Sequence, residues 1–129
     1  MSARFTPQFV DHLVFYVQNV ARSRDFYEAL LGPAVQASEE AAIFSTGDTR
    51  IFFVPAAQTE PAFDKQRIGL NHLAFGVRTL DELGQIEQQL NSADIHHSGI
   101  QIDRHGGKEY IWIDDPDGFR VEFYLRPLA

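Results

Sequence analysis

The stretch Asp11–Val17, DHLVFYV, returns at Asn71–Val77 as NHLAFGV. Side chains alternate in direction along a strand. Leu13, Phe15 and Val17 therefore form one apolar row, and Leu73, Phe75 and Val77 form its counterpart. His12 and His72 open the opposite row at matched positions.

Working outward, each phrase leads into a helical pattern. In QNVARSRDFYEALLG, residues Val20, Phe26, Tyr27, Leu30 and Leu31 fall at helical spacing, and Gly32 is placed to end the helix. In RTLDELGQIEQQLNSAD, Leu80, Leu83, Ile86 and Leu90 form a second stripe, with Thr79 or Asp81 as cap. Two strands then follow in each half: AAIFST and RIFFVP around GDT, and KEYIWID and FRVEFYL around DPDG. The DPDG stretch, with Asp, then Pro, and Gly at the fourth position, has the chemistry of a tight turn. A weaker strand is expected before each pair, near Ala34–Ala37 and Ser98–Ile102. The reading is an α+β fold with one domain over residues 1–129. It contains two βαβββ modules, about 8–56 and about 68–127, joined by the linker PAAQTEPAFDKQR. Each half alone buries little core, so the halves are expected to pack together.

Strand parity separates two faces. Ile51, Phe53, Ile111, Ile113, Val121, Phe123 and Leu125 join the apolar rows that suit packing under helices. The opposite rows hold His12, Val14, Tyr16, His72, Ala74, Gly76, Arg50, Phe52, Val54, Tyr110, Trp112, Arg120, Glu122 and Tyr124. A face merely wetted by solvent would carry Lys, Glu, Thr and Ser. Aromatics and small residues with a few polar groups suit a cavity wall.

Two imidazoles and a carboxylate form a set that binds Fe(II), Mn(II), Zn(II) or similar ions with positions left open. His12, His72 and Glu122 are the candidates. The bland alternatives are surface histidines and an ordinary ion pair between Glu122 and Arg120. Repetition of the histidine at one position of a duplicated unit favours the ligand set. His96 and His97 read as surface residues. His105, in DRHGGKEY, reads as a loop histidine, or else as a flexible acid/base above the cavity.

The bulk composition narrows the field. A chain of 129 residues is long enough for a real core. It has no cysteine, so disulfides and thiolate ligands are excluded and a metal must sit on nitrogen or oxygen. The net charge of −7, with no basic run, argues against nucleic acid or acidic lipid as partner. No apolar run approaches the roughly 18 residues of a membrane span. MSARFTPQ lacks a signal peptide's pattern, so a cytoplasmic address is expected.

These two βαβββ halves, with DHLVFYV and RSRDFYEALLG, NHLAFGV and DDPDGFRVEFYL, resemble the vicinal oxygen chelate superfamily of glyoxalases, bleomycin-resistance proteins and extradiol dioxygenases. The resemblance implies paired modules that form a cupped mixed β-sheet, with helices on the outer face and a divalent metal inside. Carried over by motif, the ligands are His12, His72 and Glu122. Glyoxalase I enzymes use a fourth ligand from the last strand of the first module. Aligning RIFFVP with RVEFYL puts Phe52 there, and phenylalanine cannot bind a metal.

The three-ligand set favours an extradiol-type, ring-cleaving dioxygenase whose substrate chelates Fe(II) or Mn(II) through neighbouring oxygens, with Zn(II) or Ni(II) as other ions. The alternatives are a lyase or isomerase of the glyoxalase type, a fosfomycin-type transferase, and a metal-free sequestering protein of the bleomycin-resistance type. In the enzyme readings Tyr110 is the catalytic donor, and Phe52, Trp112, Arg120 and Tyr124 contact a small-molecule substrate. Arg120 is also expected to compensate Glu122. Related small proteins often pair modules across chains, so a homodimer is expected, with the modules paired either within one chain or across two.

Overall fold

A computed structural model describes residues 4–129. The chain divides into two compact units, one ending at Thr59 and the other spanning Glu60–Ala129. The division falls inside the stretch read as a linker. No helix among the described residues is long and apolar enough to cross a membrane.

The first unit runs β1 (His12–Val17), α1 (Val20–Leu31), β2 (Gln36–Ala37), β3 (Ala42–Thr46) and β4 (Thr49–Pro55). The second repeats the order: β5 (His72–Val77), α2 (Leu80–Ser92), β6 (Gln101–Ile102), β7 (Glu109–Asp114) and β8 (Arg120–Leu125). Each unit forms a four-stranded mixed sheet, in the orders β1-β4-β3-β2 and β5-β8-β7-β6. The first strand of each unit pairs in parallel with the last, and the other neighbours are antiparallel. This is the α+β, twice-repeated βαβββ architecture expected from the duplicated sequence.

Local chemistry sets the helix ends. The Asn19 side chain accepts from the Arg22 N–H at 2.9 Å, which satisfies a donor that the first turn leaves free. Gly32 ends α1 at φ 85°, a left-handed angle that side-chain-bearing residues rarely adopt. Thr79 caps α2, and Glu82 returns a bond to the Thr79 N–H, closing a capping box. Asp81 lies within the first turn.

Each helix covers the apolar row of its own sheet. In the first unit Tyr27 stacks on Phe53 at 4.2 Å between ring centres, and Phe44 meets Phe53 edge-on at 5.8 Å. In the second, Leu83 and Leu90 of α2 are fully buried, as are Ile111 and Ile113. The parity assignment holds: Phe15, Val17, Ile51, Phe53, Phe75, Val121, Phe123 and Leu125 are buried, whereas His12, His72, Val14 and Tyr16 are exposed.

The DPDG turn is built around Asp115. This residue is 5 % exposed, and its carboxylate accepts from the N–H groups of Asp117 and Phe119 at 2.8 and 2.9 Å. The Gly118 N–H closes the turn onto the Asp115 carbonyl, with Gly118 at φ 88°. The turn sets the register of β7 against β8, and hence which side chains face Glu122.

Candidate metal centre

The two units match in register as well as in order. On β1 and β4, His12 pairs with Arg50 and Val14 with Phe52. On β5 and β8, His72 pairs with Arg120 and Ala74 with Glu122. Phe52 thus holds in the first unit the place that Glu122 holds in the second. It lies on the same face as His12, half-buried, with the two rings edge-to-face at 5.7 Å.

In the second unit the structure brings His72 and Glu122 together. Nε2 of His72 stands 3.5 Å from Oε1 of Glu122, whose side chain is only 15 % exposed. The proton on the imidazole can be placed from its surroundings. Asn71 Nδ2 donates to the Lys65 carbonyl at 3.0 Å, which orients the amide and turns Oδ1 toward His72. Nδ1 of His72 lies 2.8 Å from that Oδ1, which can only accept, so Nδ1 carries the hydrogen. In the neutral ring the Nε2 lone pair then faces the carboxylate. Two acceptors so placed need a cation or a proton between them.

His12 has the same preparation in the first unit. Its Nδ1 lies 2.8 Å from Asp11 Oδ2, which leaves Nε2 as the outward donor atom. Metal-bound histidines commonly give their other N–H to such a carboxylate or carbonyl. Two donors about 2.1 Å from one ion and roughly 90–110° apart stand about 3.0–3.4 Å from each other. The His72–Glu122 spacing is close to that range, so this pair fits a divalent ion. Among the described residues, no group of three or more His, Cys, Asp or Glu side chains is gathered at one point of the chain.

Around the pair lies an open cleft of about 590 Å³, lined entirely by the second unit. His72, Ala74, Gly76, Glu122, Tyr124 and Arg126 contribute to its β5–β8 side, and Asp103, His105 and Tyr110 to the other. Tyr110 and Tyr124 are therefore among the residues that line the cleft. Trp112 and Arg120 share the face but are not among the lining residues. The guanidinium of Arg120 lies over the Trp112 ring at 4.0 Å and bonds Asp114 at 2.7 and 3.2 Å. The expectation that Arg120 compensates Glu122 is corrected accordingly. Asp114 is directly opposite Arg120 on β7 and captures it in a bidentate pair.

His105 and Asp103 carry more of the cleft than a plain loop would. Tyr124 donates to Asp103 Oδ2 at 2.9 Å, and Asp103 Oδ1 accepts from the His105 N–H at 3.1 Å. These bonds, the His105 N–H first, hold the Asp103 carboxyl below the usual carboxylate range, and the bond to Asp103 pushes the Tyr124 phenol up. Gly106 backs onto this contact: a Cβ there would strike the Tyr124 hydroxyl. His96 is exposed with its ring edge-on to Trp112 at 6.3 Å, while His97 is half-buried and bonded to Asn91.

Residues 9–123 match the Glyoxalase/Bleomycin resistance protein/Dioxygenase superfamily. The chain belongs to this superfamily. A relative within reach by sequence is the uncharacterized protein YaeR of Escherichia coli (strain K12), 28% identical over 125 residues, covering 89% of this chain and 94% of YaeR. The fold is shared with a glyoxalase/dioxygenase from Nostoc punctiforme (TM-score 0.75, 22% identity, 99% of both chains). It is shared as well with a lactoylglutathione lyase from Agrobacterium tumefaciens (TM-score 0.69, 16% identity, 92% of this chain and 94% of that one). The glyoxalase/dioxygenase superfamily holds many enzymes and often uses divalent metals. At these identities the structural likeness speaks to fold alone.

Proposed function

We propose that this protein is a divalent-metal-dependent enzyme acting on a small substrate with two neighbouring oxygens. His12, His72 and Glu122 would hold the ion. The observation that carries this reading is the Nε2 atom of His72 turned toward the half-buried Glu122 carboxylate, with its other nitrogen already committed to Asn71. When bound, the ion would supply Lewis acidity toward the substrate's oxygens.

The first chemical reading is extradiol-type ring cleavage of a catechol, with Fe(II) or Mn(II) as the ion. It is supported by Phe52 at the register position where a fourth ligand would stand, since a three-ligand ion keeps positions open. The remaining steps fall to the cleft's own groups. Tyr124 has committed its proton to Asp103, so it offers a ring face and an oxygen lone pair. Tyr110 and His105 are the lining groups able to give or take a proton at the substrate. That pair of acid–base groups also favours a second reading, a lyase or isomerase that shifts a proton beside a metal-held oxygen.

Metal analysis of anaerobically purified protein, followed by oxygen uptake over a panel of catechols, tests the proposal. Stoichiometric metal with catechol-dependent oxygen uptake is the expected result. Metal without oxygen uptake would move the reading to the lyase or isomerase. Protein that cannot be loaded with any divalent ion would leave only a sequestering role.

A further inference from the structure

Gly76 lies inside β5, where glycine lowers strand stability and marks a bulge, a bend, or the close approach of a ligand or another backbone. Its backbone does not require glycine, since it is not among the residues with left-handed φ. Packing does not require it either: a Cβ built there meets nothing within 4 Å. The space that a side chain would fill belongs to the cleft. The matched position on β1 is Tyr16, so the duplicated unit accepts a large side chain where this one has none.

The cleft is also polarised along its length. Glu122, Tyr124 and Arg126 follow at two-residue steps on one face, with Ala74 and Gly76 opposite Glu122 and Tyr124. At about 3.3 Å per residue, Glu122 and Arg126 are separated by about 13 Å of extended chain. Arg126 has its guanidinium 5.1 Å from the Tyr124 ring centre, and no carboxylate among the described residues stands within ion-pair distance of it. Arg78 bonds the Arg126 carbonyl at 3.1 Å from outside the cleft's lining. Asp103 is the cleft's other carboxylate, and it is engaged by Tyr124 and the His105 N–H.

We infer that the substrate is elongated: its paired oxygens lie at His72 and Glu122, its body crosses the gap left by Gly76, and an anionic tail ends on Arg126. This rests on the reading of His72 and Glu122 as the metal end. Gly76 is then a specificity-determining residue and Arg126 a substrate-binding one. With the side-chain reach of Arg126 included, the tail anion lies roughly 8–12 Å from the chelating oxygens.

Calorimetric titration of the zinc-loaded full chain tests it, with three probes: catechol, dihydrocaffeate (a catechol with a propanoate tail) and phenylpropanoate (the tail without the oxygens). Dihydrocaffeate is expected to bind about tenfold or more tighter than catechol, as one charge-assisted contact gives. Arg126→Gln should remove that difference. Gly76→Val should weaken dihydrocaffeate by about tenfold or more while the melting temperature holds or rises, a combination that a merely structural glycine would not produce. Gly76→Ala should fall between. Equal binding of catechol and dihydrocaffeate, or indifference to Arg126→Gln, overturns the inference and leaves the metal end standing. Arg126-dependent binding of phenylpropanoate without any binding of catechol keeps the tail site and overturns the metal end. If none of the three binds, both fall.

Discussion

Phe52 stands opposite Val14 on β4 as Glu122 stands opposite Ala74 on β8. The same register therefore offers a ring in one unit and a carboxylate in the other. Phe52→Glu would make the two equivalent. The added carboxylate is expected to tighten divalent-metal binding by about tenfold or more and to depress oxygen-dependent turnover by occupying an open position. Competition with a chromogenic chelator measures the first effect. Unchanged metal affinity would mean that Phe52 does not face the ion.

Asn71 sets the tautomer of His72 through one bond to Lys65 and another to the ring. Loss of such an outer partner typically weakens metal binding by about 10–100-fold. Asn71→Ala should do so in the same chelator assay without a change in fold. Asn71→Asp, which copies Asp11 beside His12, should retain affinity. Equal affinities for all three proteins would remove Asn71 from the site.

Much of this was legible in the sequence because its signals are periodic. Leu13, Phe15 and Val17 declare a buried face by alternation, and Thr79 stands where a helix cap belongs, ahead of the Leu80, Leu83, Ile86 and Leu90 stripe. The contacts that escaped reading join residues far apart in the chain. Asp103 reaches Tyr124 across 21 positions, and nothing in DRHGGKEY says that its aspartate will meet β8. Strand alternation alone matches Arg120 with Glu122, two residues on along the same face, whereas its partner is Asp114 across the hairpin. That choice depends on strand register, which the buried Asp115 turn sets and a one-residue slip would reverse.

The Arg120 bond, then desolvation acting against it and the nearby positive charges of Arg120 and Lys65, leave Asp114 below the usual carboxylate range. A depressed carboxyl contributes stability above its unfolded value of about 3.9, and the contribution is lost as pH falls through the lower folded value. Asp114→Asn should therefore reduce stability at neutral pH and converge with the parent protein in strong acid. The partial exposure of the pair limits the effect to under about 1 kcal/mol. Urea unfolding from about pH 7 to about pH 2 reads it; a constant gap across that range would show that the charge on Asp114 is not what stabilises.

Gly106 has no room for a side chain beside the Tyr124 hydroxyl and Asp103. Gly106→Ala should displace the hairpin at a cost of about 1–3 kcal/mol, as overpacking does. Tyr124→Phe removes the hydroxyl that the new methyl would strike. The double variant should then lose less stability than the sum of the single ones, by about 0.5 kcal/mol or more. Strict additivity would show that the methyl is accommodated without touching Tyr124.

The last prediction concerns assembly. Within their own sheets β1 and β5, which begin with His12 and His72, are edge strands, and such edges invite a partner. Val14 and Tyr16 on β1, and Ile68 and Leu70 before β5, are exposed apolar side chains beside them. A symmetric homodimer is expected, in which the modules either pair within one chain or swap so that His12 of one chain completes the site of the other. His12→Ala and Glu122→Ala proteins, each unable to hold the ion, can be mixed, unfolded and refolded together. A swapped heterodimer combines the intact His12 of one chain with the intact His72 and Glu122 of the other, which restores one of its two sites. Half of a statistical mixture is heterodimer, so about a quarter of the sites should regain metal. No recovery in isolated heterodimers would show that each site is built within one chain, and sedimentation as a monomer at micromolar concentration would remove the dimer altogether.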